Sequence, residues 1–310
     1  MSKIEFNNIY NIDCIEGMKS VPSHSIDLVI TDPPFGIDFK AKRTNYNRKS
    51  SRVIEGYTEI VGSEYLEFTF SWLSEVKRLL KYSGSMYIFS GWNYLKDILI
   101  ALDELGFITI NHIIWKYQFG VVTKRKFVTS HYHILYVCLN DDNKRKFFPF
   151  SRFNQSERNQ NGKSLHYDDK EDVWEINEDE IDVWNIKREY WTGDKKTPTK
   201  LPAEIIKKIL SYSSEEDDVV FDQFLGSGQV AVVSKMMNRN YFGFEIVKDY
   251  FEFAKERLEN NVYRIKDESL SIKQENVLSL FEKHIEYGNT TKVKKARNKK
   301  TLYKSKKIHS

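Results

Sequence analysis

Several features that mark secreted, membrane-spanning or metal-binding proteins are scarce in this sequence. Only two cysteines occur in 310 residues, Cys14 and Cys138. They lie far apart and show no metal-ligand spacing, so we expect neither a structural disulfide nor a zinc site. No apolar run approaches the roughly 20 residues that cross a bilayer, and residues 1–6 lack the apolar core of a signal peptide. The sequence therefore predicts a cytoplasmic protein without a membrane partner.

Histidine is also sparse, with seven residues in the chain. His131 and His133 alternate along a predicted strand, where they are either a pair of metal ligands or part of a polar strand face. The second interpretation is favoured because the other histidines do not cluster with them. We therefore expect no metal centre.

Charge is nearly balanced over the whole chain, with a net value of +4, but it is unevenly placed. Residues 291–310 contain nine Lys or Arg and no acid, which leaves the remainder mildly acidic. A basic tail of this kind either contacts nucleic-acid phosphates or is a solvated end of the chain. Both interpretations stay open.

Two of the six prolines are adjacent, and they follow a predicted buried strand, residues 26–31. Because proline cannot donate a ladder hydrogen bond, Pro33 and Pro34 end this strand. Asp32 and Phe35 therefore lie at the carboxyl end of a strand, where open α/β sheets bind their ligands. The Asp32 carboxylate and the Pro33 carbonyl can each accept one N–H of an exocyclic amine, while Phe35 stacks on its ring. The tetrapeptide predicts a clamp for a planar amine, although Asp-Pro-Pro also occurs in ordinary turns.

A second motif lies far downstream. Residues 219–222 form a predicted buried strand, and a turn that contains Gly226 and Gly228 follows. A helical pattern begins at Gln229, and a further strand ends in Glu245. The glycines allow the backbone to approach a ligand closely, and an acid about 20 residues beyond the turn suits two ribose hydroxyls. This order of elements predicts a binding site for a nucleoside cofactor.

With both motifs in place, the sequence resembles the amino-methylating DNA methyltransferases that use S-adenosylmethionine. Those enzymes carry Asp-Pro-Pro-Tyr or Asp-Pro-Pro-Phe as their catalytic motif, which matches residues 32–35. They carry Phe-x-Gly-x-Gly as their cofactor motif, which matches residues 224–228. The catalytic motif comes first here, as in the circularly permuted beta group. The resemblance covers residues 8–140 and 183–260.

Predicted strands alternate with predicted helices along most of the chain, which is typical of an α/β fold with a mainly parallel sheet. The resemblance implies a Rossmann-like, S-adenosylmethionine-dependent methyltransferase fold, with helices on both faces of the sheet and an inserted target-recognition region. We expect a catalytic and cofactor-binding core at residues 1–139 and 191–265. Residues 140–190, where the periodicity fades, then form the recognition insert, and residues 266–310 form a C-terminal extension that includes the basic tail.

The resemblance also implies which residues hold the cofactor, S-adenosylmethionine. They are Asp13, Thr197, Thr199, Lys200, Asp222, Phe224, Gly226, Ser227, Gly228 and Glu245. Asp222 either meets the ammonium group of the cofactor or caps the turn that follows it. Three positions depart from the beta-group pattern, because Thr197, Leu201 and Gln223 stand where a histidine, a lysine and a proline are usual.

Basic residues in three predicted loops are candidates for DNA contact, because Lys and Arg bind phosphates and base edges. One loop follows the catalytic motif, one joins two predicted strands, and one lies in the recognition insert. The candidates are Lys40, Lys42, Arg43, Arg48, Arg52, Lys124, Arg125, Arg152 and Arg158. The alternative is that these are ordinary surface loops.

The function that follows is site-specific transfer of a methyl group from S-adenosylmethionine to the N6 amine of adenine in double-stranded DNA, in a restriction–modification context. The aspartate at the first position of the catalytic motif favours adenine. Methylation of cytosine at N4 is the alternative within this class, and a catalytically inactive DNA-binding protein is the alternative outside it. A homodimer and a cognate restriction endonuclease stay open as partners.

Overall fold

An eight-stranded sheet organises the protein in the computed structural model, which describes residues 4–34, 60, 62–117, 124–125, 127–142, 144–148, 181–189 and 200–260. The strands are β1 (Asn8–Tyr10), β2 (Ile26–Thr31), β3 (Leu80–Ser90), β4 (Ile108–Lys116), β5 (His131–Cys138), β6 (Val183–Asn185), β7 (Val219–Asp222) and β8 (Asn240–Phe244). The α-helices of the described residues are α1 (Cys14–Met18), α2 (Tyr65–Leu79), α3 (Leu95–Glu104), α4 (Ala203–Ser213), α5 (Gln229–Met236) and α6 (Lys248–Glu259). None of these helices is long and apolar enough to cross a bilayer.

The strands lie in the order β1-β8-β7-β2-β3-β5-β4-β6 across the sheet. Every described pairing is parallel except the two made by β5, which runs antiparallel to β3 and β4. The mainly parallel sheet expected from the alternation of strands and helices is confirmed. Because β2, β7 and β8 are parallel neighbours, their carboxyl ends meet at one edge of the sheet.

Helices cover both faces of the sheet because its central strands are apolar on both sides, and β2 is buried at all six positions. On one face, α2 and α3 pack Trp72 and Ile98 into one apolar cluster. On the other face, α4 and α5 contribute Ile209 and Val233 to a second cluster. Burying each such side chain contributes about 1.5–3 kcal/mol, so the two layers hold the sheet and its edge in place. The prediction of helices on both faces is confirmed.

Most element boundaries fall within one or two residues of those that the sequence predicts, but the start of β3 differs. The hydrophobic spacing predicts a helix to Leu80 that Gly84 ends, followed by a strand from Ser85. In the structure α2 ends at Leu79, and Leu80 is already extended with φ −69° and ψ 133°. Gly84 lies inside β3, beside a register shift against β2. The predicted boundary is wrong because Gly84 accommodates this irregularity instead of ending the helix.

The described part of the 140–190 segment adds an edge strand to the sheet. β6 pairs in parallel with β4, and its Trp184 side chain is buried. The Trp184 indole N–H donates a hydrogen bond of 3.0 Å to the Ile181 carbonyl. The sequence analysis did not predict β6, because three residues are too few to show a strand period. Residues 149–180 lie outside the described part of the chain, and their assignment to target recognition stays a prediction.

Candidate active site at the carboxyl edge of the sheet

A pocket opens at the edge where β2, β7 and β8 end. Each of these strands delivers one acidic residue to the pocket lining. Asp32 directly follows β2, Asp222 is the last residue of β7, and Glu245 directly follows β8. The parallel pairing therefore brings the two motifs together, although they lie far apart in the sequence.

The Asp32 carboxylate lies in this pocket in a desolvated environment. Its Oδ1 atom is buried and has no hydrogen-bond partner among the described residues. Burial raises the pKa of Asp32 to about 7, against the opposing effect of the positive charge of Arg188. A buried acceptor without a partner costs about 1–3 kcal/mol, so Oδ1 is placed to accept a hydrogen bond from a ligand. Pro33 and Pro34 line the same pocket, whereas Phe35 lies outside the described residues.

Arg188 does not line the pocket, but its charge acts on Asp32, and the sequence analysis did not identify it. Its guanidinium lies 4.2 Å from the ring centroid of Tyr117, 5.8 Å from that of Tyr132 and 5.9 Å from that of Trp115. These distances are typical of cation–π contacts. The aromatic rings thus position a charge that favours the ionised form of Asp32. An arginine in a polar, charged stretch shows no sequence pattern that distinguishes it from a solvated side chain.

The turn between β7 and α5 forms part of the pocket wall. Gly226 and Gly228 have φ values of 52° and 74°, which only glycine adopts at low cost. A Cβ atom on Gly228 would also lie 2.8 Å from the Cβ of Ala254 in α6. Asp222 Oδ1 accepts a hydrogen bond of 3.0 Å from the Phe224 N–H. Asp222 therefore caps the turn, which is one of the two roles that the sequence left open.

Glu245 connects the end of β8 to this turn. Its Oε2 atom accepts a hydrogen bond of 2.7 Å from the Gly226 N–H, and its Oε1 atom accepts one of 2.8 Å from the Val247 N–H. Burial raises the pKa of the carboxyl, and these backbone hydrogen bonds act in the opposite direction. Each oxygen keeps a further lone pair, so the same carboxylate can brace the turn and accept a hydroxyl from a ligand.

The three carboxyl groups make the pocket favourable to a cation. Burial, together with the charges of Asp32 and Glu245 and against the Phe224 N–H hydrogen bond, raises the pKa of Asp222 to about 8. Neighbouring like charges oppose one another's ionisation. A positively charged ligand would offset this repulsion, so the pocket is suited to a ligand that carries positive charge.

Most of the predicted cofactor residues that the structure describes line this pocket. They are Asp13, Lys200, Asp222, Phe224, Gly226, Ser227 and Glu245. Gly228 is not among the lining residues, and its backbone conformation and close approach to Ala254 give it a structural role. Thr197 and Thr199 lie outside the described residues.

Two of the lining residues also have local partners. Asp13 Oδ1 accepts hydrogen bonds from the N–H groups of Ile15 and Glu16, at 2.9 and 3.2 Å, and so caps α1. The Lys200 ammonium forms an ion pair of 2.7 Å with the Glu189 carboxylate. Both residues therefore have a structural role that the sequence motif did not indicate.

The candidates for DNA contact fall mostly outside the described part of the chain. Lys124 and Arg125 are described, and both are exposed to solvent. The others, which lie in the undescribed segments, are Lys40, Lys42, Arg43, Arg48, Arg52, Arg152 and Arg158. Their role in DNA contact stays a prediction.

His131 and His133 lie on β5, beside His112 of β4, so the expectation that no other histidine clusters with them is wrong. His112 Nε2 and His133 Nδ1 are 2.7 Å apart and form a hydrogen bond. Burial and the two neighbouring histidines lower the pKa of His133 to about 4. Among the residues described, no group of three or more His, Cys, Asp or Glu side chains is arranged to hold a metal ion.

Two glutamines on either side of the glycine turn also line the pocket, and sequence reasoning gave neither a role. Gln223 is 1% exposed and Gln229 is 3% exposed. Both amide atoms of Gln223 and the Nε2 atom of Gln229 lack a hydrogen-bond partner among the described residues. The sequence marks Gln223 only as a departure from a motif and Gln229 only as the start of a helix. Burial and the absence of partners become visible only in the folded chain.

Comparison with known sequences identifies the class of this protein. The sequence profile of the N6/N4 DNA methylase family matches residues 26–256. The type II methyltransferase M.HpaI of Haemophilus parainfluenzae is 32% identical over 259 residues, which cover 80% of this chain and 73% of that protein. The type II methyltransferase M.HinfI of Haemophilus influenzae is 31% identical over 258 residues, which cover 81% of this chain and 68% of that protein.

Solved structures share the fold. The PvuII DNA methyltransferase, described as cytosine-N4-specific, matches with a TM-score of 0.60 at 20% identity, over 84% of this chain and 89% of that one. The M1.HpyAVI–SAM complex matches with a TM-score of 0.53 at 21% identity, over 81% of this chain and 98% of that one. The predicted Rossmann-like methyltransferase fold is confirmed. The chain belongs to the N6/N4 DNA methylase family, and it is a DNA methyltransferase.

Proposed function

We propose that this protein transfers the methyl group of S-adenosylmethionine to the N6 amine of adenine in double-stranded DNA, as a beta-group enzyme in a restriction–modification context. The observation that carries the proposal is the buried, unpartnered Oδ1 atom of Asp32, which shares a pocket with the glycine turn and Glu245. An amine-binding acceptor and a nucleoside-binding wall thus lie at the same edge of the sheet.

The residues of the pocket fit S-adenosylmethionine. The backbone at Gly226 lies at the pocket wall, and Glu245 has lone pairs available for the two ribose hydroxyls. The carboxyl groups of Asp32 and Asp222, whose pKa values are raised, suit the positive charges of the cofactor. The bound cofactor supplies an electrophilic methyl group on a positively charged sulfur.

Asp32 and Pro33 would prepare the amine for attack. The exocyclic nitrogen is a poor nucleophile, because its lone pair is shared with the ring. When Asp32 Oδ1 and the Pro33 carbonyl each accept one N–H, the lone pair is freed from the ring and turned toward the methyl group. Catalysis is then mainly positioning and electrostatic stabilisation.

Methyl transfer to the amine exchanges one covalent bond for another and releases one proton. The bond between the amine nitrogen and the methyl carbon forms while the carbon–sulfur bond breaks, and its electron pair stays on sulfur. The surplus proton leaves the nitrogen for Asp32, whose pKa of about 7 suits a proton acceptor near neutral pH. The target base reaches Asp32 only after it is flipped out of the duplex, as methyltransferases do.

Two features support adenine and a restriction–modification context. The first position of the catalytic motif is an aspartate, Asp32, which is typical of adenine-specific members of the beta group that this sequence resembles. M.HpaI and M.HinfI are both named type II methyltransferases, which supports a cognate endonuclease as partner. Cytosine N4 is the second candidate, because the PvuII enzyme of the same fold is described as cytosine-N4-specific.

Methylation of unmethylated genomic DNA by the purified protein tests this function. Sequencing that distinguishes N6-methyladenine from N4-methylcytosine should show adenine modified at one recurrent sequence. The Asp32→Ala variant should lose turnover by about a hundredfold or more while it still binds S-adenosylhomocysteine. N4-methylcytosine in the product would favour the second candidate, and methylation at a wild-type rate by Asp32→Ala would contradict the assigned mechanism.

A further inference from the structure

The two glutamines beside the glycine turn carry an inference that rests on the proposed function and extends it. Gln223 precedes the turn and Gln229 follows it, and both residues line the pocket and are almost fully buried. Gln223 stands where the beta group usually has proline. Its amide is therefore a feature of this chain that the motif does not explain.

Three amide atoms of these side chains lack hydrogen-bond partners among the described residues. They are Oε1 and Nε2 of Gln223 and Nε2 of Gln229. More than about nine in ten buried polar groups in proteins are hydrogen-bonded, and leaving one unpaired is costly. Two such amides in the wall of one pocket indicate a ligand that brings both hydrogen-bond acceptors and donors.

Arg257 of α6 decides which way the Gln229 amide faces. Its guanidinium donates hydrogen bonds to Gln229 Oε1 and to the Ser227 carbonyl. Because a guanidinium has donors only, the amide oxygen must face Arg257, and Nε2 is left to donate elsewhere. Arg257 is 3% exposed, so a buried positive charge lies directly behind this donor. Gln229 is therefore suited to an anionic group.

The carboxyl groups of the same pocket have the opposite preference. Asp32 and Asp222 line it as well, and they favour a cation. A ligand that satisfies both preferences carries a negative and a positive group close together. The amino-acid end of S-adenosylmethionine has this property, since it bears a carboxylate and an ammonium group. The edge of a target base also has donors and acceptors, but it is uncharged and would make no use of Arg257.

We propose that Gln229 and Gln223 hold the zwitterionic amino-acid end of S-adenosylmethionine. Gln229 donates to the carboxylate, and the Gln223 amide donates to the carboxylate and accepts from the ammonium group. Arg257 is a positioning residue that sets the orientation of the Gln229 amide. Leu201, which stands where the beta group usually has a lysine, lines the same pocket.

Calorimetric titration with two ligands tests the proposal without turnover. S-adenosylhomocysteine has the amino-acid end, and 5′-methylthioadenosine lacks it but keeps the adenosine. The wild-type protein should bind S-adenosylhomocysteine at least about tenfold more tightly, as expected for hydrogen bonds to charged groups. Binding of neither ligand would contradict the proposed cofactor itself, which is a different failure from that of the present proposal.

Three variants isolate the amides. Gln229→Glu is nearly isosteric and keeps an acceptor for Arg257, but it replaces the donor with a negatively charged oxygen. Gln223→Met removes the other amide at similar volume, and Arg257→Met releases the Gln229 amide. Each should weaken S-adenosylhomocysteine roughly tenfold to a hundredfold and leave 5′-methylthioadenosine within about twofold, because damage to the fold would weaken both ligands alike.

The ratio of the affinity for S-adenosylhomocysteine to that for 5′-methylthioadenosine distinguishes the outcomes. A lower ratio in Gln229→Glu and Gln223→Met than in the wild type supports the proposal. Equal losses for both ligands would show that the amides only support the fold, and they would overturn it. An unchanged ratio with a raised KM for DNA would also overturn it, since the amides would then contact the target base.

Discussion

Among single residues, Asp32 is one whose protonation is determined mainly by burial in the candidate site. Its carboxyl follows a strand that is buried at every position. The same desolvation that leaves Oδ1 without a partner raises its pKa to about 7. The residue therefore changes protonation within the range in which such an enzyme is assayed. Arg188, held on its aromatic rings, opposes this shift.

The pH dependence of methylation should report this balance. Because the ionised form of Asp32 accepts the amine, kcat/KM should rise with pH through about 7. Arg188→Gln removes the opposing positive charge, so the midpoint should move to higher pH, whereas Arg188→Lys should move it less. Steady-state rates between about pH 5.5 and 8.5 check this. An identical midpoint in wild type and Arg188→Gln would show that the charge of Arg188 does not act on Asp32.

The buried amide of Gln223 should lower the stability of the ligand-free protein while it favours ligand binding. Gln223→Met removes two unpartnered buried polar atoms at similar volume, so the free energy of unfolding without ligand should rise by roughly 1–3 kcal/mol. Urea denaturation of the ligand-free protein measures this. A lower free energy of unfolding would mean that the amide has a partner in the folded protein.

The residues that sequence could identify are those whose type and spacing carry the chemistry. Asp32 and Glu245 each follow a readable strand, and Gly226 belongs to a recognisable turn. Arg188 and Arg257 have no such pattern, because their importance comes from neighbours in other elements. Arg257 in particular looks like an ordinary surface charge of an amphipathic helix, yet it is 3% exposed.

At the level of secondary structure, the glycine turn, Glu245 and α6 form one interlocked unit. Glu245 accepts hydrogen bonds from the turn and from the segment that leads into α6. Gly228 in turn approaches Ala254 of α6, and Arg257 of the same helix donates to the Ser227 carbonyl. A change on α6 should therefore be felt in the pocket.

Gly228→Ala tests this coupling. The new side chain meets both a left-handed backbone conformation and the Cβ of Ala254 at 2.8 Å, so the free energy of unfolding should fall by about 1–3 kcal/mol. The double variant with Ala254→Gly should recover only part of the loss, because it removes the contact but not the backbone strain. Thermal denaturation of the set checks this. Full recovery would assign the whole effect to the contact.

The elements themselves were predicted where their patterns are long. The helices predicted over residues 64–80 and 94–105 show clear helical spacing, and residues 26–31 form a short buried run. The structure has these elements at Tyr65–Leu79, Leu95–Glu104 and Ile26–Thr31. The start of β3 was predicted wrongly at Ser85. Glycine commonly ends helices, but Gly84 lies at an irregularity of the sheet. β6 was missed because its stability comes from pairing with β4, which no local pattern reveals.

For the whole molecule, the buried carboxyl groups link folding, ligand charge and pH. The pKa values of Asp32 and Asp222 rise from an ordinary 3.8 to about 7 and about 8. Between the ordinary and the raised pKa values, the folded protein binds more protons than the unfolded chain. The free energy of unfolding should therefore fall as pH rises from about 4 to 8. Denaturation across that range measures how the free energy of unfolding depends on pH. An increase with pH would contradict the raised pKa values of Asp32 and Asp222.

Cofactor binding should release protons for the same reason. The positive sulfonium favours ionised carboxylates, so S-adenosylmethionine should expel protons near pH 7, and S-adenosylhomocysteine, which lacks that charge, should expel fewer. Calorimetry in buffers with different heats of ionisation counts the protons. Equal release by the two ligands would mean that the sulfonium does not lie near Asp32 and Asp222.

The basic tail, residues 291–310, lies outside the described residues, and its prediction rests on charge alone. Its nine positive charges are not balanced by any acid. Deletion of the tail should weaken DNA binding at low salt and reduce the salt dependence of the affinity, because phosphate contacts act without reading sequence. The methylated sites should stay the same. An unchanged salt dependence would identify the tail as a solvated end, and altered sites would place it in recognition.

The pairing of β2 with β7 is a seam between two blocks of the sheet. One block, β2 to β6, delivers the amine clamp, and the other, β7 and β8 with β1 at its side, delivers the glycine turn and Glu245. The pocket depends on the pairing of β2 with β7 and not on the order of the two blocks in the sequence. The sheet therefore does not determine which block a gene must encode first. Two genes with opposite block orders would build the same edge, so motif order can drift in evolution while the chemistry stays fixed.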